Sequence, residues 1–582
     1  MRDTTEHNLA VLERDFPHVC SMMREKENEH GCTYVQDGLP NIVLNKRHFH
    51  APRNPRQEAF NLVKDLHVRT GALYVFMGIG LGYHIEKFKE LYRELIPEIT
   101  VVCIERSVSA FRELVNHRDI SFLEGTHLFI GDETERIGEL FRGFDPLRFS
   151  GQRIVKLRGG YSLFEGYYRE IEKLLKRCLS GRLSDLLTMC AFDTLWMRNT
   201  IDNIPQLVGR SSILALKDIL KGRPALVVGA GPSLRLQLEA IAASKNRIFI
   251  IAVDTALEPL LLAGIVPDFV VAIDAQYPNF LDFFSYFMEK TASRDTVLVS
   301  DLIVYPKILK HWRNPLFFSS TALPAETQSD GGTVYQDAHP IISKFKSFYP
   351  HTGRLRCGGS VATTAIELAI HTGADPVLLA GLDFSYTGFM SHVSSSPSYN
   401  LHYRNSTRFR TVQTAFTGGL AARKTVPMDG IKNETVLSDF IFQNYLSWFD
   451  RRTEYRGKVF NATFQGTPIP GIEWVELEHC FHKLRDIQGK PSLPSSHLPL
   501  PGPAARRFLL SVKQEVKGAR EMIAGGELPA TDLMNRFPLL RNSVALTSRL
   551  YREEKDVRIN LLMLLAMLEK RSDRALERIG SS

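Results

Sequence analysis

Between residues 222 and 383 the chain alternates short apolar runs with helix-length segments, and each run stops on glycine or a polar residue. Ala225–Val228 leads into Gly229-Ala-Gly-Pro-Ser233. Ile248–Val253 stops at Asp254, Phe269–Ile273 at Asp274, Thr296–Val299 at Ser300 and Asp301, and Val377–Ala380 at Gly381-Leu-Asp383. Helical patterns occupy about 234–243, 254–264 and 361–372. Runs that are apolar at every position must be covered on both faces. The intervening helices supply that cover, so the pattern predicts an α/β fold with a Rossmann-like parallel sheet.

A second unit of the same kind precedes it. The run Ala72–Met77 meets Gly78-Ile-Gly-Leu-Gly82 and a helical pattern over Tyr83–Leu91, and the next run, Ile99–Ile104, ends at Glu105. The first 70 residues read as irregular, with strands around Tyr34–Val35 and Ile42–Leu44, and 162–220 reads as long connecting helices. Residues 385–432 show no period, which suits a functional lid or a disordered loop. A helix is expected over 435–449 and a strand over 458–463. Five prolines within 489–503 read as a linker, and apolar spacing at i, i+3, i+4 marks helices at Phe508–Ile523 and Leu546–Leu568. The expected organisation is an N-terminal Rossmann-like domain with connecting helices (1–205), a central Rossmann-like domain (206–488), and a linker with a C-terminal α-helical domain (489–582).

A length of 582 residues with 44% hydrophobic and 23% charged side chains allows several cores. The net charge of +8 suits phosphorylated or acidic substrates and is too small to argue for nucleic acid. Seven scattered cysteines form no CxxC pair, so neither a zinc site nor a disulfide framework is expected. With no secretory leader pattern and no run of about 18 apolar residues, the expected location is the cytoplasm, without membrane contact.

Several residues are candidates for chemistry. Gly229, Gly231, Pro232 and Ser233 sit at a strand-to-helix turn, where close backbone approach and helix-start N–H groups suit a phosphate. A tight turn without ligand is the plain alternative. Gly358, Gly359 and Ser360, with Thr363, offer a second such turn, or simply close helix–sheet packing. Asp254, Asp274 and Asp383 end strands, where open α/β sheets bind ligands and where aspartates also cap helices. Asp274 and Gln276 are spaced to face one side. His392 suits a general base, although a lone loop histidine is usually just exposed. Residues 385–428 carry Arg404, Arg408, Arg410, Arg423 and Lys424, with Tyr386, Tyr399 and Tyr403, and no acid. That reads either as a lid over a phosphate site or as an exposed basic loop. Gly78–Gly82 with Glu105 fits an S-adenosylmethionine or dinucleotide site as well as an empty structural turn. The C-terminal helices read as a packed bundle, or as a groove for a helical protein.

Taken together, these residues resemble the motility-associated factor (Maf) flagellin glycosyltransferases. The resemblance is carried by Leu226–Leu234, Ala252–Leu257, Gly264–Gln276, Gly358–Thr363, Ala380–Thr387 with His392, and Phe460–Gly466. The family core is similar to bacterial CMP-sugar sialyltransferases and to hydroxymethylpterin pyrophosphokinase-like proteins. The resemblance implies inverting transfer of a nonulosonic acid, of pseudaminic or legionaminic type, from a CMP-sugar to Ser/Thr of flagellin, in support of motility and without a metal or other cofactor. Gly229–Ser233 and Gly358–Ser360 would cradle CMP. Asp254, Asp274, Gln276 and Asn461 would line the nucleotide and sugar pocket. His392 would be the base, with Tyr386 and Asp383 also catalytic. Ser391 precedes His392 where the family has threonine nearby. The resemblance equally implies two alternatives, an ATP- and Mg²⁺-dependent pterin pyrophosphokinase and a non-catalytic flagellin-binding protein.

Overall fold

The computed structural model describes residues 2–25, 32–36, 40–142, 150–284, 295–329, 332–337, 339–486, 489, 493–494, 498–525, 530–550 and 554–580. The chain divides into two compact units, Met1–Leu187 and Thr188–Ser582.

In the first unit β1 (Ala72–Met77), β2 (Thr100–Glu105), β3 (His127–Ile130) and β4 (Gly151–Lys156) form a parallel sheet in the order β3-β2-β1-β4. Alternate residues of β1 enter different cores: Tyr74 and Phe76 one, Leu73, Val75 and Met77 the other. The first 70 residues are more ordered than their sequence indicates. Helices span Arg2–Asp15, Pro17–Glu25 and Pro55–Val63, and the strands Cys32–Val35, Asn41–Leu44 and Arg47–His48 form an antiparallel sheet. Among the described side chains of the first helix only Asn8, Val11 and Leu12 are buried, too thin a stripe for periodicity to reveal.

The second unit is built on an eleven-stranded sheet. Its main path runs β10 (Gly332–Asp337), β9 (Leu316–Ser329), β8 (Val297–Asp301), β7 (Phe269–Ala272), β6 (Phe249–Val253), β5 (Ala225–Val228), β11 (Val377–Ala380), β12 (Val459–Asn461), β13 (Glu473–Trp474). Every pairing on this path is parallel except β9 with β10. On β7, Phe269 and Val271 face one core and Val270 and Ala272 the other. The second core also holds Phe508, Leu509, Val512 and Val516 of helix Gly502–Ala524, and Leu561, Leu565 and Leu568 of helix Glu554–Gly580. The C-terminal helices therefore cover one face of the sheet. Six of the fifteen positions of the proline-rich stretch 489–503 lie outside the described residues.

Two expectations need correction. The segment 385–432 is not an aperiodic loop: it holds helices Pro397–Arg404 and Val412–Ala421, capped by the Ser396 and Thr411 side chains, and strand Thr425–Asp429. Residues 435–449 are not one helix. Thr435–Asp439 pairs antiparallel with Thr425–Asp429, and only Phe440–Ser447 is helical, capped by Asp439. The Asp439 side chain takes the Phe442 N–H at 2.9 Å and so starts the helix there.

Candidate functional site

β5 is followed in space by β6, β7, β8 and β9 on one side, whereas the returning strands β11 and β12 lie on its other side. The carboxyl ends of β5 and β11 therefore flank the point where strand order reverses, the usual ligand crevice of an open α/β sheet. Those ends carry Gly229–Ser233 and Gly381–Asp383. The two turns are interlocked: Gly229 N–H donates to Ala380 O and Gly231 N–H to Gly381 O, each at 2.8 Å. A Cβ on Gly231 would stand 2.3 Å from Asp383 Oδ1, so only glycine fits.

Asp383 is buried and holds Ser233 twice, accepting from its N–H at 2.8 Å and from Oγ at 2.7 Å. Burial pushes its pKa up to about 7 against those two donors. Its neighbour Phe384 has φ 47°, a left-handed conformation uncommon for a bulky residue and often found at functional sites. The Ser233 donors are thus occupied by a carboxylate.

His392 is brought to this turn by backbone. Val393 N–H donates to Ala230 O at 2.8 Å. The imidazole Nδ1 lies 2.9 Å from Ser391 Oγ, leaving Nε2 for chemistry. The residue is exposed, yet surrounding protein and the Arg423 guanidinium lower its pKa. Water therefore reaches the ring even though its charged form is disfavoured.

Three residues that sequence reasoning missed complete this side. Asp439 accepts from the Tyr386 hydroxyl at 2.7 Å and from Arg423 at 2.8 Å, holding both. Burial and that carboxylate push the Tyr386 pKa up to about 12. Tyr445 lies where Cys357, Asp439, Arg423 and Asp274 all influence its hydroxyl, and its ring stands 3.0 Å from a Cβ built on Gly359. Trp448 packs on Gly358 in the same way. A cleft of about 270 Å³ opens beside Tyr386, lined also by Thr387, Phe389, Leu437 and Gln465.

The other predicted residues fall into two sets. At Gly358–Ser360 the turn is held from within: Gly358 N–H donates to Thr363 Oγ1 at 2.8 Å and Ala362 N–H to Ser360 Oγ. Gly359 has φ 89° and is exposed. At the ends of β6 and β7, Asp254 is buried and accepts from Asn279 Nδ2 at 2.6 Å. Burial and the nearby Asp274 raise its pKa, and burial with Asp254 raises that of Asp282, a carboxylate the sequence did not single out. Asp274 Oδ1 takes the Gln276 N–H at 2.8 Å, while the Gln276 side chain is exposed. Asn461, at the end of β12, is buried with Oδ1 on Thr463 N–H and no partner for Nδ2. Among the described residues no three His, Cys, Asp or Glu side chains converge on a metal position.

The turn Gly78–Gly82 is sealed. Glu105 Oε2 accepts from Ile79 N–H at 2.8 Å and Gly80 N–H at 3.2 Å, and His50 Nε2 accepts from Leu81 N–H at 2.8 Å. Cβ atoms on Gly80 and Gly82 would stand 2.5 Å from His50 Nε2 and 2.1 Å from the Phe122 ring. Side chains stand where a cofactor's backbone approach would be.

Comparison with known proteins bears on the same region. A family model described as 6-hydroxymethylpterin diphosphokinase MptE-like matches residues 198–389, which include both glycine turns of the second unit and Asp254, Asp274 and Asp383 but not His392 or Asp439. Three uncharacterized proteins of Treponema pallidum (strain Nichols) are similar. One is 25% identical over 332 residues, covering 55% of this chain and 54% of the relative. Another is 24% identical over 219 residues, covering 37% and 73%, and a third 29% over 142, covering 24% and 67%. The chain spans about half the length of the first of these relatives. A solved structure, the MAf glycosyltransferase from Magnetospirillum magneticum AMB-1, matches with a TM-score of 0.56 at 15% identity over 100% of this chain and 94% of that one. Residues 198–389 therefore match the MptE-like family model, within a chain that shares its fold with a Maf glycosyltransferase.

Proposed function

We propose that the chain is a cytoplasmic glycosyltransferase that moves a nonulosonic acid, of pseudaminic or legionaminic type, from a CMP-sugar to a Ser or Thr hydroxyl of flagellin. The observation that carries this reading is the Val393-to-Ala230 hydrogen bond, which pins a solvent-reachable histidine over the glycine turn at the strand reversal. The fold likeness to a glycosyltransferase supports it.

In this reading Gly229–Ser233 and Gly358–Ser360 receive the CMP phosphate and cytidine, and Asp254, Asp274, Gln276 and Asn461 take ribose and sugar hydroxyls. The phosphate displaces Asp383 from Ser233, a step eased because that carboxyl titrates at about 7. His392 Nε2 removes the acceptor hydroxyl proton. The acceptor oxygen bonds to the anomeric carbon as the bond from that carbon to phosphate oxygen breaks, and CMP leaves with the electron pair. Arg423, with Tyr386 beside it on Asp439, faces the charge that builds on the departing phosphate. The cleft beside Tyr386 receives the acceptor side chain.

The domain match favours a second reading, an ATP-dependent diphosphotransfer. Magnesium would fall to Asp254 and Asp274, with which no third His, Cys, Asp or Glu side chain converges among the described residues. Thermal shift separates the two. CMP without divalent metal raises Tm if the first reading holds. Stabilisation by ATP with Mg²⁺ and none by CMP sinks it.

A further inference from the structure

Helices Pro397–Arg404 and Val412–Ala421 form a hairpin that buries only Pro397 and Val412. Its two arms hold together through stacked Tyr399 and Phe416, with centroids 5.6 Å apart, and through His402 against Phe416. Asn400 reaches Glu258 at 3.3 Å near the base. At the far end Thr407 and Arg410 hydrogen-bond in both directions, so Arg408 and Phe409 are the corners of a closed turn. Phe409 is 87% exposed, Tyr403 64% and Leu401 49%. The Arg408 guanidinium lies 5.4 Å from the Phe409 ring centre.

Phe409, Tyr403 and Leu401 together put several large apolar side chains in water on one exposed hairpin. Their surroundings select the environment that would cover them. Arg404, Arg408 and Arg410 share the hairpin, and no acid occurs from 384 to 428. A folded protein partner needs roughly 800 Å² on each side. A projecting two-residue corner cannot offer that, whereas a lipid surface accepts a convex wedge of aromatic and cationic side chains directly. We propose that this hairpin docks the protein on an anionic lipid surface, with Phe409 entering the interface and Arg404, Arg408 and Arg410 on the headgroups. Peripheral docking needs no spanning segment, so it narrows the expectation of no membrane contact. It does not depend on the transfer reaction.

Flotation of the full chain tests it, using vesicles of phosphatidylcholine alone and of phosphatidylcholine with phosphatidylglycerol. The protein is expected to float with the anionic vesicles only, and less as salt rises. Phe409→Ser should weaken partitioning roughly tenfold, and Arg408→Gln with Arg410→Gln about fivefold for each charge. Tm should stay unchanged because these side chains are exposed. Equal flotation on both vesicle types, no flotation, or flotation that survives both sets of substitutions overturns the proposal. No flotation with retention on immobilised polyglutamate reassigns the hairpin to an acidic protein partner.

Discussion

The two units repeat one device and finish it differently. Each follows its first parallel strand with a glycine-rich turn, and each aims a carboxylate at that turn: Glu105 at Ile79 and Gly80, Asp383 at Ser233. In the first unit the histidines beside the turn, His50 and His84, are buried, and His50, Phe122 and Leu157 occupy the space around its glycines. In the second, the segment that crosses the turn brings an exposed histidine and arginine with it. A glycine turn marks where backbone comes close. What comes close is decided by the strand that returns beside it.

The histidines give the sharpest contrast. His392→Ala is expected to lower transfer about 10²–10⁴-fold, as for loss of a general base, with Tm unchanged because the side chain is exposed. His50→Ala should leave transfer intact and cost the first unit roughly 2–4 kcal/mol, through a buried cavity and the orphaned Leu81 N–H. The stabilities can be followed separately. All four tryptophans, Trp196, Trp312, Trp448 and Trp474, belong to the second unit, so their fluorescence reports it alone while circular dichroism reports both. If His50→Ala abolished transfer, the first turn would be no mere scaffold.

The glycines come next. Gly82 has φ 75° and faces the Phe122 ring, so Gly82→Ala combines left-handed strain with a clash and should cost roughly 2–4 kcal/mol in the dichroism transition only. Gly231 has φ −60°, so Gly231→Ala brings no left-handed strain, although its Cβ would stand 2.6 Å from the Gly381 carbonyl oxygen. That Cβ also displaces Asp383. The expected result is a loss of roughly 1–3 kcal/mol in tryptophan-monitored stability together with loss of the CMP-induced Tm shift. A retained CMP shift would move the nucleotide away from Gly231.

Much of this frame was legible in sequence, and the reasons are local. Ala72–Met77, Ala225–Val228 and Val377–Ala380 are apolar at every position and bounded by glycine or polar residues, and all three strands occur with those limits. What escaped was non-local or unpatterned. Asp383 meets Ser233 only because β11 returns beside β5, a pairing across 150 positions that no spacing rule contains. Asp439, Arg423 and Tyr386 converge through helices exposed on nearly all sides and a two-stranded hairpin, which leave no stripe for periodicity to find. Tyr445 and Trp448 were hidden as ordinary helix residues, although the bare Gly358-Gly359 pair hinted that rings lie over it.

The two units should also answer pH in opposite senses. Burial lowers the His84 pKa from 6.5 to about 4 and that of His50 well below its usual value. Between those limits the unfolded chain binds protons that the folded unit refuses, so this contribution is complete above 6.5 and is lost as pH falls toward 4. Burial raises Asp383 from 3.8 to about 7, and Asp254 and Asp282 are raised as well. There the folded unit holds the extra protons, so the contribution is complete below 3.8 and is lost as pH rises through 7. Each group bends its curve by up to about 1.4 kcal/mol per pH unit within its window. His84→Phe should flatten the acid limb of the dichroism curve, and Asp282→Asn the neutral limb of the tryptophan curve. Flattening of the wrong limb would mean that the groups are solvated in ways their burial denies.

The smallest effect concerns how each unit orients its histidine. His84 Nε2 lies 3.1 Å from Gly78 O, within the core, where losing the contact strands a buried carbonyl. His392 has only the partly exposed Ser391 hydroxyl at Nδ1. Water can replace that hydroxyl, so Ser391→Ala removes orientation without leaving a polar atom dry. The expected loss is about 0.5–1 kcal/mol, or roughly two- to fivefold in transfer rate, with no change in CMP binding or Tm. Because the bond holds one ring nitrogen and leaves the other to the acceptor, the loss should appear in kcat and not in donor KM. A Ser391→Ala enzyme with unchanged kcat would show that backbone alone, through Val393 and Ala230, sets the ring.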